Sequence, residues 1–336
     1  MNSSEKIKKF LLDNLTSHQK DIIHTAINQF GLSRQAIHKH MNSLINEKKV
    51  IGHGTTKGRY YELIPSVNYS KSFDIQINNN EKLITKYVIP HFSNLPKNIH
   101  EIFEFTAWAL INNIYDHANA SRLYLKIFIN HNEAHFIISD NGIGIFKHIK
   151  RGLRLTNDQL AALELTKGNL KVEPDYHSGD ELYAVIHLFD KVKIESSGKS
   201  LKFLNSNQEW EIGDSSQTKG SRIHLIINPS SARTCADIIN QIFKSNKEKI
   251  RIPLNLLDIA NHNIVNSRDQ VGSVLRNIKD YKNIEFDFKK INLIGPAFAD
   301  ALIHKTIEKN QHANIKWINS NETVDLLLSR ALGRQS

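Results

Sequence analysis

Three clusters of side chains in this chain could do chemistry. Asn112-Asn113 and Asp116-His117 close a stretch whose Leu110, Ile111, Ile114 and Tyr115 are core candidates, and polar groups so near an apolar face need partners. Asp140-Asn141-Gly142-Ile143-Gly144-Ile145 is a carboxylate leading into a glycine-punctuated turn, where the backbone is free to bend and to approach another group closely. The third cluster is basic. From Met1 to Pro65, ten Lys or Arg stand against five Asp or Glu, an excess of +5 that is half of the net +10 in about a fifth of the 336 residues. His18, His24, His38, His40 and His53 add to it as pH falls, so a polyanionic partner is expected at the N-terminal end.

The elements that must position these groups follow from hydrophobic periodicity. Residues 99 to 117 have helical spacing, and a hairpin follows with Leu123, Leu125, Ile127 and Ile129 alternating in one strand and Phe136 and Ile138 in the other. The Asn112-Asn113 pair therefore ends a helix and Asp140 ends a strand. In the basic region, Glu5 to Leu15 and His18 to Phe30 are amphipathic helices. Ser33 is a suitable N-cap for a third helix that points Ile37, Met41, Leu44 and Ile45 inward and Arg34, Gln35, His38 and Lys39 outward. Lys49 to His53 and Arg59 to Leu63 flank a glycine-bounded loop containing Lys57. Pro65 to Asn80 has the composition of a linker holding one short strand, Phe73 to Ile77, and Glu81 to Phe92 is a lead-in helix.

The pair formed by the asparagine helix and the Asp140-Asn141-Gly142-Ile143-Gly144 loop resembles the Bergerat-fold (GHKL) ATP-binding proteins of the gyrase, chaperone and histidine-kinase kind, over roughly residues 81 to 228. That resemblance implies ATP and Mg2+ as ligands. It implies that Asn113 is the magnesium-holding amide, an oxygen ligand suited to a hard cation, with Asp116 and His117 beside it. Asp140 corresponds to the carboxylate that receives the adenine amino group, and Gly142 and Gly144 let the backbone turn beneath the base. Residues 150 to 180 occupy the place of the ATP lid, where Lys167, Gly168, Ser178 and Gly179 supply donors and flexible joints. Gly179-Asp180-Glu181-Leu182 departs from the family's second glycine box, and Ser221 stands for the usual threonine of the closing strand. Four residues before Asn113, where hydrolytic members carry a general-base glutamate, stands Ala109. Alanine cannot accept a proton, so no catalytic residue is assigned and hydrolysis is expected to be weak or absent.

Ser33-Arg34-Gln35-Ala36-Ile37-His38-Lys39-His40-Met41 resembles the turn and recognition helix of winged-helix transcriptional regulators. The resemblance implies a double-stranded DNA partner, with Ser33, Arg34, Gln35, His38 and Lys39 at the groove and Lys57 and Arg59 of the wing on phosphates. Beyond residue 248, Ile252 to Ile259 reads as a strand and the start of a helix, and the helical segments Ser267 to Tyr281, Ala297 to Lys309 and Glu322 to Leu332 alternate with strand candidates at Asn283 to Phe288, Ile291 to Ile294 and Ile315 to Asn319. Phe286-Asp287-Phe288, Ile294-Gly295-Pro296-Ala297-Phe298-Ala299-Asp300 and Ile318-Asn319 resemble STAS-like domains, which implies contact with a second copy or a partner protein. Gly295-Pro296-Ala297 has no serine where related anti-anti-sigma proteins are phosphorylated. Asp287 and Asp300 are turn or capping residues in the simpler reading.

The expected fold class is multidomain α+β: a winged helix at 1 to 65, a linker and lead-in helix at 66 to 98, an α/β-sandwich Bergerat ATP-binding domain at 99 to 230, and a small STAS-like α/β domain at 248 to 336. No run of about 18 apolar residues occurs, the first ten residues have no apolar signal core, and Cys235 is the single cysteine. A cytoplasmic protein with no membrane partner is expected. The function these features point to is an ATP-binding transcriptional or signalling regulator. A GHKL ATPase, an anti-sigma-type serine protein kinase and a non-catalytic scaffold of a defence or signalling complex stand as alternatives.

Overall fold

The computed structural model describes residues 3–55, 58–75, 79–168, 180–245, 248–258 and 262–333. Its first unit is three helices and a hairpin. Helices α1 (Ser3–Asn14), α2 (Ile22–Phe30) and α3 (Arg34–Asn46) bury Leu11, Leu15, Ile22, Ala26, Ile37, Met41 and Leu44 together. The chain turns from α2 to α3 on Gly31, at φ 65°, and the Ser33 hydroxyl accepts the Ala36 N–H at 3.2 Å to cap α3. Strands β1 (Val50–His53) and β2 (Tyr60–Leu63) pair antiparallel, Val50 opposite Leu63. The turn needs glycine at 54, where φ is 71° and a Cβ would meet the Gly58 carbonyl oxygen at 2.7 Å.

The second unit is built on β3 (Val67–Asp74), α4 (Asn80–Tyr87), a 3-10 turn (Ile89–Phe92), α5 (Lys97–His117), β4 (Arg122–Ile129), β5 (Ala134–Asp140), α6 (Ile145–Gly152), α7 (Asp158–Thr166), α8 (Asp180–Leu188), β6 (Lys191–Ser196), β7 (Lys199–Leu204), β8 (Glu209–Asp214), β9 (Ser221–Ile227) and α9 (Cys235–Ser245). Its seven strands form one antiparallel sheet in the order β3-β4-β5-β9-β6-β7-β8. Alternation sends Leu123, Leu125, Ile127, Phe136 and Ile138 to a buried face, where Phe92 and Phe103 stack with centroids 4.2 Å apart and Phe136 meets both edge to face at 5.9 and 6.4 Å.

The third unit comprises β10 (Lys249–Pro253), β11 (Ile264–Val265), α10 (Gln270–Val274), β12 (Asn283–Asp287), β13 (Leu293–Ile294), α11 (Pro296–Lys309), β14 (Asn314–Ile318) and α12 (Glu322–Gly333). Strands β10-β12-β14 are parallel, and β11-β13 form a separate parallel pair. The molecule is thus a multidomain α+β protein. The first unit has its own core, whereas the buried residues of the second and third, from Leu83 to Ala331, form one continuous core. Two side chains of the β4–β5 turn hold the first unit: His131 contacts Asp13 at 2.8 Å, and the Asn132 amide donates to the Leu12 carbonyl at 3.0 Å.

Several expectations are corrected. The supposed linker is largely β3, an eight-residue edge strand paired along the whole of β4; its outward Asn68, Ser70 and Ser72 give it a polar composition. The expected helix from Ser267 to Tyr281 contracts to α10, and the chain leaves the right-handed helical region at Asn277, which adopts φ 60°. Val271, Val274, Leu275 and Ile278 are nevertheless buried as expected. The Ile291 to Ile294 strand is only Leu293–Ile294.

Candidate functional site

The loop after β5 is stapled to the end of α5 and to the start of β9. Asp140 is buried, and its two carboxylate oxygens accept the Gly142 N–H at 2.7 Å and the Ser221 N–H at 3.1 Å. Burial raises its pKa, while those backbone donors oppose the rise. The Asn141 side chain accepts the Ser121 and Arg122 N–H groups, both at 2.9 Å, and donates to the Ser121 hydroxyl at 2.9 Å. Ile143 N–H donates to the Ala118 carbonyl at 2.8 Å. These bonds pull the loop onto the turn that ends α5.

The glycines are fixed by contacts of protein with protein. A Cβ on Gly142 would lie 2.1 Å from the Ala118 oxygen, and one on Gly144, at φ 86°, 2.5 Å from the Ser196 hydroxyl. Gly220, at φ 66°, would place a Cβ 2.0 Å from the Asp140 carbonyl oxygen. The Ser221 hydroxyl accepts the Ile145 N–H at 2.9 Å. Nothing in residue type or spacing singles out Ser196, whose hydroxyl donates to the Gly220 carbonyl at 3.0 Å; Asn141 lies inside the Asp140–Ile145 motif and Gly220 heads the closing strand, but their residue types do not show that they staple this loop.

On α5, Asn112 accepts from the Asn80 amide at 2.8 Å. Asn113 is half-buried, Asp116 is exposed, and the half-buried His117 ring lies 5.5 Å from that of His148 on α6. Ala109 is 5% exposed and belongs to the core. The glutamates nearest it on the same helix are turned elsewhere: Glu101 pairs with Lys97 and Glu104 with His100, each at 3.9 Å.

Lys167, expected among the ligand-binding donors, is committed elsewhere. Its side chain is 3% exposed, and its ammonium donates to Glu164 at 2.8 Å and to the Ser273 carbonyl at 2.9 Å. Burial drives Lys167 down and Glu164 up, against their mutual attraction. Gly179, and the Ser178 joint before it, lie outside the described residues, as does Lys57. Of the other expected polyanion-contacting residues, Arg34, Gln35, Lys39 and Arg59 are exposed and His38 is half-buried, while the Ser33 hydroxyl serves as the α3 cap. Arg34 Nε is 3.5 Å from His38, and burial followed by the charges of Arg34 and Arg59 lowers the His38 pKa. The two arginines and this imidazole therefore share one patch where α3 meets the hairpin.

The third unit closes over α7. Gln159 donates to the Leu256 carbonyl at 2.7 Å, and Asn255 to the Trp210 carbonyl at 2.8 Å. Lys289 pairs with Glu209 at 2.8 Å, and Lys290 with both Glu209 and Glu211. Residues 272–325 match the family model described as a STAS-like domain of unknown function, DUF4325. The chain carries a C-terminal STAS-like domain. No curated protein matches the chain. Within the STAS-like domain, the buried Asp287 accepts from Arg251 Nη2 at 2.7 Å, from the Lys289 N–H at 3.0 Å and from Asn319 at 2.8 Å, so it ties the ends of β10, β12 and β14. Gly295 stands immediately before α11, with Pro296 and Ala297 in its first turn, so no hydroxyl is offered there.

Proposed function

We propose that this chain is an ATP-binding regulator. Its second unit is a Bergerat-type nucleotide domain spanning about residues 81 to 230, and its N-terminal unit is a winged helix that binds duplex DNA. The observation that carries the reading is the joining of the Asp140 loop to the end of α5, which sets a carboxylate and the Asn113–His117 segment on adjoining elements. The residues fit the ligand. Asp140 keeps lone pairs beyond the two N–H groups it accepts, and the Asn113 amide has no protein partner among the described residues. Asn113 and the nucleotide's own oxygens would hold Mg2+, a cation that favours oxygen donors. When bound, the metal would neutralise phosphate charge.

With Ala109 in the core and Glu101 and Glu104 paired elsewhere, neither glutamate of α5 is placed to activate water, so bound ATP persists. The Arg34, His38 and Arg59 patch supports the DNA reading, with α3 in the major groove and the hairpin on the backbone. The STAS-like domain holds α7, in the stretch corresponding to a nucleotide lid, and so gives ATP a path by which to bias the arrangement of the domains. Incubating the purified chain with γ-labelled ATP and Mg2+ and then separating the products tests this. Intact nucleotide bound for hours is expected. Steady phosphate release at ordinary ATPase rates contradicts the reading, as does label transferred to protein.

A further inference from the structure

The outer face of the seven-stranded sheet has no part in the proposed nucleotide site. Strand register lines up Lys126, Ile137, His224, Lys193 and Lys202 as direct neighbours across β4, β5, β9, β6 and β7. At about 4.8 Å per strand, Lys126 and Lys202 are roughly 19 Å apart. Arg222 stands two residues from His224 on the same face, and Tyr124 and Phe128 flank Lys126 on β4. Whereas the inner side chains of these strands are buried, Arg222, Lys202 and Tyr124 are exposed and Lys126 and Phe128 half-exposed. Lys126 and Lys202 make no ion pair among the described residues. Arg222 faces Glu195, whose carboxylate is already held by Lys193 at 2.7 Å and Ser215 at 2.9 Å.

We propose that this face binds single-stranded nucleic acid. A row that carries Lys126, Lys193 and Lys202 across the sheet, with aromatic side chains beside Lys126, offers phosphates a track and unstacked bases a surface on which to stack. A duplex fits this face poorly: its bases are stacked inside, and its major groove admits a helix or a two-stranded ribbon rather than a seven-stranded face. The binding requires neither ATP nor the N-terminal unit.

The full-length chain is titrated into a labelled 20-nucleotide oligothymidylate, and separately into a duplex of the same length, with anisotropy followed over a salt series. Lys126→Glu with Lys202→Glu is expected to weaken single-strand binding at least tenfold and to flatten its salt dependence. Tyr124→Ala is expected to weaken it severalfold at unchanged salt slope, and Arg34→Ala with Arg59→Ala to leave it intact. Because all these substitutions point outward, the thermal transition should be kept. Ultraviolet cross-linking of the native chain gives a reading that needs no variant, with β4 peptides carrying the label. The proposal is overturned if the native chain does not bind the single strand at low salt, if the charge reversals leave affinity unchanged, or if cross-links fall only within residues 1 to 65.

Discussion

Gly220 has no room for a side chain. Its φ of 66° and the 2.0 Å that would separate an added Cβ from the Asp140 carbonyl oxygen mean that Gly220→Ala must displace the very loop that carries Asp140. A loss of about 2 to 4 kcal/mol is expected, from left-handed backbone strain plus the clash, and urea unfolding will measure it; a loss under about 0.5 kcal/mol would mean the loop gives way freely. His187 gives the residue scale its pH dependence. Burial pushes it down to about 4, outweighing the hydrogen bond its Nδ1–H donates to the Tyr183 carbonyl at 2.8 Å. Since the folded value lies below the ordinary 6.5, the unfolded chain takes up the proton first. This contribution is full above about pH 6.5 and is lost as pH falls toward 4; His224, also lowered to about 4 by burial, acts with the same sign. Urea titrations from about pH 7.5 down to about pH 4 should therefore show falling stability, with a shallower fall in His187→Phe. An identical pH slope in the variant would remove His187 as a source.

Among the elements, α7 carries the most consequence. All its residues from Gln159 to Thr166 are buried, a helix apolar enough on every side to need covering on every side. The Glu164–Lys167 pair within that core is costly to split. Lys167→Met leaves the buried Glu164 carboxylate with only the Arg276 Nε, 3.9 Å away, and is expected to lose about 3 kcal/mol, whereas adding Glu164→Gln should recover much of it. A double variant no more stable than the single would show that the pair itself is not the source. Legibility in the sequence follows the same physics. One-sided helices such as α1, α3 and α5 and the alternating β4 and β5 are readable because one face is wet and the other dry. Edge strand β3 is not, since its polar outward residues and short apolar set imitate a linker. Strands β6 to β8 escape notice because Lys191, Lys193, Lys199 and Lys202 crowd the signal from Val192, Ile194, Leu201 and Phe203. The site is half legible: Asp140 and the asparagine segment stand out by type, but Asn141, Ser196 and Gly220 act through contacts made 19 or more residues away in the chain. That Lys167 is held by Glu164 and the Ser273 carbonyl could not be read from its type, because side-chain type says nothing of which neighbour claims it.

At the scale of the molecule, the division of the core decides what can be separated. The N-terminal unit has its own apolar cluster, while the sheet unit and the STAS-like domain share one. Deleting residues 248 to 336 uncovers α7 and β8, so the remainder is expected to lose its sharp thermal transition and to bind hydrophobic dye; a truncated chain that melts cooperatively would contradict the shared core. Lys289 and Lys290 hold Glu209 down to about 2. The stability this pairing adds is present above the ordinary carboxylate value of 4.5 and is lost as pH falls toward 2. Nucleotide binding is the claim on which the rest of the function stands. Calorimetry of the full-length chain with ATP and Mg2+ tests it most directly: saturable heat at one site per chain is expected, lost in Asp140→Asn and weakened at least tenfold in Asn113→Ala. No heat from the native chain, or equal affinity in both variants, would contradict it.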